Sequence, residues 1–281
     1  MDGTTLNQEG RLTPRTAEVI RQVQRRGVHV VIATGRPTRS LQPYIEQLGI
    51  MPSLPVICFN GACALWMKPD SDDHDVVFWQ DMGVEASKRV LALCEQFDWC
   101  PMLNFPMRTV SSPRNSLHEE HLQKFESLER LQQERVDDLW HILNNGPPPL
   151  KIVVLSEDSD RDAQVARERL PASLVHIIAA EQHIEFLNPL VHKGGALQRL
   201  CKDVLRVPLA HAVAFGDNYN DTEMLTMVGE GVAMTNAKSA LQTVARRVSP
   251  YSNSEDGVAR ELSDMLAAEQ LICAGQPLDE R

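Results

Sequence analysis

Four polar side chains crowd the segment that directly follows the apolar run from Ala212 to Phe215. They belong to Asp217, Asn218, Asn220 and Asp221. Ligands bind at the carboxyl ends of strands in open α/β sheets, and carboxylate and amide oxygens are donors that Mg²⁺ prefers. The alternative is a polar turn in which Asp221 caps a helix, but capping needs one such residue and this segment has four. The sequence therefore predicts a magnesium site here.

Three further clusters of chemically useful residues lie far away in the sequence, each at a predicted strand end or helix start: Asp2-Gly3-Thr4, Thr34-Gly35-Arg36 and Lys193-Gly194. The Thr34 hydroxyl and the Gly35 amide can donate to a phosphate oxygen, although a Thr-Gly pair is also common in ordinary turns. Lys193 would begin a helix, where a cation opposes the helix dipole. Either a nearby anionic ligand or exposure to solvent would explain that placement. We expect the four clusters to converge at one edge of a sheet.

The elements that would position these clusters alternate between helix and strand. Helical spacing runs from Pro14 to Arg26, a β-branched run covers Val28 to Ala33, and a second helix is predicted from Arg39 to Leu48. A further buried strand covers Val56 to Phe59. This alternation predicts an α/β fold with a parallel sheet.

The pattern changes near residue 85, where longer polar helices alternate with short strands, and the first pattern resumes after Asn188-Pro189. The middle region has predicted helices at residues 85–97, 117–131 and 162–170 and predicted strands at residues 151–155 and 175–178. The last region has predicted helices at residues 194–202, 221–227 and 258–268 and predicted strands at residues 212–215 and 232–234. We interpret residues 1–84 and 188–281 as one core domain, interrupted by an inserted domain at residues 85–187.

Composition narrows the class of partner. The chain of 281 residues carries 28 Lys and Arg against 38 Asp and Glu, a net charge of -10, which disfavours binding to nucleic acid or to an anionic membrane. No apolar run approaches the roughly 18 to 20 residues that span a bilayer. The six cysteines show neither zinc-site spacing nor a disulfide framework. These features predict a soluble cytoplasmic protein with a small-molecule partner, and they indicate no oligomeric state.

Five short motifs occur in the order ATGR, FNGA, HKGGALQRL, GDNYNDTEML and EDGVAREL. In this order they resemble the haloacid dehalogenase-like phosphatase superfamily, in particular its Cof-type branch, over nearly the whole chain. The resemblance implies a Rossmann-like core interrupted by an α/β cap domain, with Mg²⁺ as cofactor. It also implies hydrolysis of small phosphomonoesters, commonly sugar phosphates, with the cap selecting the phosphorylated metabolite.

The resemblance assigns catalytic and phosphate-binding roles. Asp2 is similar to the family's general acid and base, and its backbone carbonyl to a metal ligand. Thr34 and Lys193 are similar to the phosphate ligands, and Gly3 and Gly35 lie beside them in the same motifs. Arginine and asparagine side chains at the mouth of the pocket, Arg36 and Asn60, would face substrate or cap, with a structural role as the alternative.

The same resemblance assigns the metal site. Asp217 corresponds to the principal metal carboxylate, with Asp2 supplying its carbonyl. Asn218 and Asp221 would support the ion, Asp221 through water or through contact with Lys193. Asn220 would support the ion and face the phosphate. His192 replaces a small polar residue of the family and is expected at the surface.

The chain departs from the family at the start, where the motif D-x-D-G-T is represented by Met1-Asp2-Gly3-Thr4. The nucleophilic aspartate is absent from this sequence. Methionine often fills the middle of that motif, so we expect an upstream strand and the nucleophile to precede Met1. The alternative is a catalytically dead protein that keeps the cation and phosphate pocket; a phosphotransferase or mutase is a further possibility.

This departure has an energetic consequence. In the family the missing strand lies at the centre of the sheet, and losing four buried apolar side chains at about 2 kcal/mol each would remove on the order of 8 kcal/mol. That loss is comparable with the net stability of a typical domain, about 5 to 15 kcal/mol. We therefore expect the chain of 281 residues to be poorly stable and nearly inactive.

Overall fold

The computed structural model describes residues 1–71, 74–129, 131–180 and 182–271. The chain forms two compact units. Unit 1 comprises residues 1–35, 41–77 and 192 onward, and unit 2 comprises residues 36–40 and 78–191. The sequence predicts an insertion at residues 85–187, whereas unit 2 begins before that range, ends after it and includes a short segment from the first part of the chain.

The helices are α1 (Pro14–Arg25), α2 (Gln42–Leu48), α3 (Val84–Gln96), α4 (Ser116–Glu129), α5 (Leu139–Asn145), α6 (Ser159–Arg169), α7 (Lys193–Leu200), α8 (Thr222–Met227), α9 (Ser239–Val244) and α10 (Gly257–Ala267). The strands are β1 (Ile32–Ala33), β2 (Leu54–Cys58), β3 (Cys63–Met67), β4 (Asp75–Trp79), β5 (Pro101–Asn104), β6 (Thr109–Ser111), β7 (Glu134–Arg135), β8 (Lys151–Leu155), β9 (His176–Ala179), β10 (His183–Leu187), β11 (Val213–Gly216), β12 (Glu230–Ala233) and β13 (Arg247–Val248).

Local sequence chemistry explains where these elements begin. At α1 the hydroxyl of Thr13 accepts the backbone N–H of Thr16 at 3.1 Å, which satisfies one of the free N–H groups of the first turn. Pro14 occupies the first helical position, where its missing N–H costs nothing. The helix ends before Gly27, which has a positive φ of 77°. Its buried face packs against α10 and α2.

Unit 1 contains two sets of strands with parallel pairing. The order of the first is β1-β2-β3-β4, in which β1 and β2 are parallel and Ile32 lies opposite Val56. The order of the second is β11-β12-β13, parallel throughout, with Phe215 opposite Val232. Strands and helices alternate along the chain, so the predicted α/β class with parallel strands is confirmed.

A cavity of about 650 Å³ lies between these two sets of strands. Residues 27–33 line one side and residues 211–215 the other, and apolar side chains of α1, α7 and α10 also border it. β1 ends the first sheet and β11 ends the second, so an edge of each sheet belongs to a strand that borders the cavity.

The cavity also accounts for a difference from the predicted strand at Val28 to Ala33. Only Ile32 and Ala33 form β1, through pairing with β2. Residues 28–31 border the cavity, where no further strand of the described residues holds them in register. The apolar pattern is present, but the pairing that would make it a full strand is incomplete.

Unit 2 contains a six-stranded sheet in the order β7-β6-β5-β8-β10-β9. A large apolar cluster joins α3, α5 and α6 to side chains of the central strands, including Ile152 and Phe186. A smaller cluster joins Leu122 and Phe125 of α4 to Met102 and Val153. Because side chains alternate along a strand, Ile152 and Val153 point to opposite faces, so helices cover both faces of this sheet.

Candidate functional site

The segment after β11 is folded around the carboxylate of Asp221. One oxygen of that carboxylate accepts the backbone N–H groups of Asp217 at 3.0 Å and Asn218 at 3.1 Å. The other oxygen accepts a hydrogen bond from the Lys193 ammonium at 2.7 Å. The expected contact between Asp221 and Lys193 is therefore present, and Asp221 both shapes the loop and fixes the lysine.

Lys193 and Asp221 form a buried ion pair, with residue exposures of 3% and 4%. Burial acts to raise the pKa of Asp221, but the ammonium of Lys193, the amino group of Met1 and the backbone N–H of Asp217 together outweigh it, so the pKa lies below its ordinary value. The carboxylate thus stays charged in the folded protein. A buried lysine at the start of α7 is not the solvated surface residue that the sequence leaves open as an alternative.

Asp217 has the opposite electrostatic balance. Burial raises the pKa of its carboxyl group above the ordinary value, and the nearby Asp221 carboxylate raises it further. The Thr4 hydroxyl opposes that shift by donating to Asp217 at 2.5 Å. Gly3 lies against the same carboxylate with φ of 66°, and a Cβ at this position would overlap it. Partial burial beside a second carboxylate makes Asp217 a suitable ligand for a cation.

Asp2 belongs to the first loop, which runs from Met1 to Leu6 and also contains Gly3 and Thr4, and Asp2 is exposed. The amino group of Met1 is buried, and this burial lowers its pKa. The charge of Lys193 lowers the pKa further, whereas the charges of Asp221, Asp2 and Asp217 act in the opposite direction. One point in unit 1 is therefore within electrostatic reach of four predicted site residues from three distant parts of the sequence.

Asn60 connects the Thr34 turn to the loop after β11. Its backbone N–H donates to the carbonyl of Thr34 at 3.0 Å. Its side-chain oxygen accepts from the Asn220 amide at 2.9 Å and lies against Gly35. Thr34 itself is 2% exposed, and its N–H donates to Ile57 of β2 at 2.8 Å. Asn60 is buried and joins two predicted ligand-binding segments, which is the structural alternative left open by the sequence.

The backbone at Lys193 is held from two sides. Gly61 has φ of 112°, and a Cβ there would lie 2.6 Å from the carbonyl oxygen of His192. The side chain of His192 accepts the N–H of Gly195 at 3.1 Å and so caps α7. The sequence predicts that His192 lies at the surface without a specific role, whereas in the structure its side chain caps α7.

Arg36 belongs to unit 2 rather than to the cluster around Asp217. Its guanidinium pairs with Glu129 at the end of α4 at 3.0 Å. Both side chains are largely buried, with exposures of 15% and 21%. The predicted role of Arg36 toward substrate therefore competes with a structural ion pair.

The residues present can hold a hard cation, and two of the predicted ligands also make other contacts. Among the residues that the structure describes, no group of three His, Cys, Asp or Glu side chains is arranged as a metal site. Asn218 uses its side-chain oxygen to accept the N–H of Tyr219 at 2.9 Å, and Asp221 is engaged as described above. The carboxylate of Asp217 and backbone carbonyls of the first loop are oxygen donors of the kind that Mg²⁺ takes, with water completing the shell.

Two asparagines in the last part of unit 1 contact the first loop and are not among the residues predicted from the sequence. The side chain of Asn236 donates to the carbonyl of Gly3 at 2.8 Å, and that of Asn253 donates to the carbonyl of Leu6 at 2.8 Å. Asn236 follows the buried strand β12 closely, so the strand-end rule used for Asp217 could have singled it out.

Comparison with known proteins identifies the family of the chain. Residues 1–262 match the family model described as haloacid dehalogenase-like hydrolase. The chain belongs to this family. It is 28% identical over 271 residues to the 5-amino-6-(5-phospho-D-ribitylamino)uracil phosphatase YitU of Bacillus subtilis, covering 94% of each chain. It is 29% identical over 276 residues to the HMP-PP phosphatase of Serratia proteamaculans, covering 96% of this chain and 95% of that one.

The fold is shared with solved structures of the same family. A haloacid dehalogenase-like hydrolase from Bacteroides thetaiotaomicron superposes with a TM-score of 0.79 at 22% identity, covering 94% of this chain and 96% of the other. This similarity confirms the predicted fold of the family. In the described part of the chain, no helix is both long and apolar enough to cross a membrane.

Proposed function

We propose that this protein is a Mg²⁺-dependent phosphatase that hydrolyses small phosphomonoesters, among them sugar phosphates, through an aspartyl-phosphate intermediate. The observation that carries the proposal is a chain of contacts in unit 1: Thr4, two residues after Asp2, donates to Asp217, whose backbone N–H and the ammonium of Lys193 both donate to Asp221. Asn60 connects the Thr34 turn to the same loop. A cation site beside a buried lysine and a hydroxyl suits a phosphoryl group.

The named relatives support the substrate class without fixing one substrate. One is named for a phosphorylated ribitylaminouracil and another for HMP-PP, and the two names refer to different small phosphorylated molecules. A family member with a charge of -10 suits a small anionic metabolite held at one cationic spot rather than a polyanion bound over a broad surface. In this proposal the protein acts in the cytoplasm and binds neither nucleic acid nor a membrane.

The proposed reaction depends on neutralising like charges. A carboxylate and a phosphate about 4 Å apart repel by roughly 4 kcal/mol at an effective dielectric near 20. The Lys193 ammonium and the Thr34 hydroxyl would donate to phosphoryl oxygens, with the Gly35 amide beside them. Asp217 and the carbonyl of Asp2 would hold Mg²⁺, which when bound supplies positive charge to the phosphoryl group and its attacking carboxylate.

Proton transfer is assigned to Asp2. Its carboxyl would protonate the leaving oxygen and then take a proton from the water that hydrolyses the phosphoaspartate. Exposure of Asp2 in the first loop gives both the leaving group and water access to it. Asp221 would hold Lys193 in place throughout, because their ion pair is buried.

We place the attacking carboxylate on a strand ahead of Met1 that fills the cavity between β1 and β11. Met1 lines this cavity, and its amino group lies near Lys193 and Asp217. Residues i and i+2 of a strand share a face, so an aspartate two residues before Asp2 would face the same pocket. The volume of about 650 Å³ and the edge strands on both sides support this proposal.

The test compares the chain of 281 residues with a form extended upstream by the preceding coding sequence. Phosphate release is measured from a generic aryl phosphate and from hexose phosphates, with Mg²⁺ and with a chelator. We expect turnover in the extended form only, and its loss with chelator or with Asp217→Asn. A loss of up to about a million-fold is expected when a covalent nucleophile is missing.

Two results would change the proposal. Equal turnover in both forms would overturn the placement of the nucleophile. Phosphate binding with Mg²⁺ but no turnover in the extended form would instead indicate a binding protein that keeps the pocket. Transfer of the phosphoryl group to a sugar acceptor rather than to water would identify a phosphotransferase or mutase.

A further inference from the structure

The loop from Met234 to Lys238 contacts both acidic loops of the site. The backbone N–H of Met234 donates to the carbonyl of Gly216 at 2.9 Å, and that of Lys238 donates to the carbonyl of Asp217 at 2.9 Å. Between these two contacts, the Asn236 side chain reaches the carbonyl of Gly3 at 2.8 Å. One loop therefore holds the segment after β11 through its backbone and the first loop through a side chain.

The orientation of the Asn236 amide is fixed by its two partners. Its NH₂ group donates to the Gly3 carbonyl, and its oxygen accepts the backbone N–H of Asn253 at 2.9 Å. Asn253 is 7% exposed and donates its own side-chain NH₂ to the carbonyl of Leu6. We call Asn236 and Asn253 the asparagine bridge. It holds the first loop at both ends, at Gly3 and at Leu6.

We propose that Asn236 is a positioning residue that fixes the distance between the Asp2–Thr4 turn and Asp217. The proposal rests on the proposed function, since it concerns the same Mg²⁺ site. The first loop would supply a carbonyl ligand and Asp217 a carboxylate ligand, so the geometry of the site depends on how the two segments are held together. Thr4 donates to Asp217 at 2.5 Å, which shows how close they are.

The donor group of Asn236 is what this role requires. Asn236→Asp keeps the shape and the oxygen that accepts from Asn253, but it places a carboxylate oxygen against the carbonyl of Gly3. Its added negative charge would, by itself, attract a cation. Weaker Mg²⁺ binding in this variant would therefore arise from the lost donor and not from the charge.

The test measures Mg²⁺ binding without relying on turnover. Thermal unfolding of the extended protein is followed across a Mg²⁺ titration for the parent, Asn236→Ala, Asn236→Asp and Thr235→Ala. Thr235 is the matched control, because it is an exposed neighbour whose side chain does not belong to the asparagine bridge. Loss of a residue that orients metal ligands typically weakens affinity 10- to 100-fold.

We expect the half-saturating Mg²⁺ concentration to rise about tenfold in both Asn236 variants and to stay at the parental value in Thr235→Ala. Unfolding temperatures measured in chelator should remain close to the parental value, which shows that the loop still folds. Parental Mg²⁺ affinity in Asn236→Asp would overturn the donor role, and parental affinity in Asn236→Ala would overturn the positioning role. A parent that does not respond to Mg²⁺ would refute the metal site itself, and this inference would fall with it.

Discussion

The strands and helices are packed differently in the two units. In unit 2 six strands lie side by side in one sheet, and helices with apolar side chains cover both of its faces. In unit 1 the strands form two separate sheets, and a cavity of about 650 Å³ lies between their edges. The predicted site lies in unit 1, where polar contacts such as Asn60–Asn220 and Thr4–Asp217 join segments that are far apart in the sequence.

The largest expected effect on stability comes from two matched buried ion pairs, one in each unit. Lys193 pairs with Asp221 in unit 1 and Lys151 pairs with Glu185 in unit 2, each at 2.7 Å. Replacing either lysine by methionine should destabilise the protein by about 3 to 5 kcal/mol, because a buried carboxylate loses its partner. Denaturant unfolding measures this loss.

Only the substitution in unit 1 should weaken the binding of phosphate. Lys193→Met should abolish binding of inorganic phosphate, measured by calorimetry below the unfolding temperature of each variant, while Lys151→Met should keep it. Equal loss of phosphate binding in both variants would remove the functional distinction between the two pairs.

The ion pair of unit 2 also predicts a loss of stability in acid. Burial acts to raise the pKa of Glu185, but Lys151 and His183 outweigh it and hold the pKa at about 2, below the ordinary value of 4.5. Stability from a depressed pKa is fully present above the unfolded-state value and is lost as the pH falls through the folded-state value. We therefore expect a contribution of about 3 kcal/mol to disappear between pH 4.5 and 2. Glu185→Gln should lack this dependence, as measured by denaturant unfolding across the range.

A smaller effect tests the packing difference directly. Ala214 lines the cavity in unit 1, and Ala166 lies in the large apolar cluster of unit 2. Ala166→Leu should cost about 1 to 3 kcal/mol by overpacking, whereas Ala214→Leu should be neutral or stabilise by up to about 1 kcal/mol. Thermal unfolding of both variants, made in the chain of 281 residues, measures these two changes in stability. A large loss in Ala214→Leu would mean that the cavity is closed in solution.

The smallest expected effect concerns Asp217. Burial raises the pKa of its carboxyl group, so its charge lowers stability at pH values above the folded-state pKa. Asp217→Asn should therefore raise the free energy of unfolding by about 1 kcal/mol at pH 7 without Mg²⁺. Added Mg²⁺ should stabilise the parent and leave the variant unchanged. Destabilisation of the variant in chelator would show that the Thr4 hydrogen bond outweighs the cost of burial.

The spacing of apolar residues predicted the helices and strands whose pattern depends only on their own residues. The strand at residues 151–155 matches β8, and the predicted helix at residues 85–97 lies within one residue of α3. No strand was predicted at β10, which has the charged Glu185 at its centre. In the fold, Lys151 on the neighbouring strand neutralises that charge, and the pattern of one strand cannot show its partner.

In the site, too, some residues could be predicted from their own chemistry, and others depend on partners that only the fold brings together. Residue types at strand ends and family motifs led to Asp217, Lys193 and Thr34, because their chemistry is visible in the sequence itself. Asn236 acts only through the two groups it contacts, and tertiary structure brings those groups to it. The length of β1 was overestimated for a related reason, since pairing depends on a neighbour and not only on apolar residues.

The glycine in the first loop gives the site a narrow tolerance for natural variation. Since a Cβ at Gly3 would overlap the Asp217 carboxylate, even the change to alanine must displace either that carboxylate or the loop itself. The surrounding helices and sheets need not rearrange for this to happen. The change Gly3→Ala in this protein would therefore act on the proposed metal site directly, through the carboxylate that it displaces.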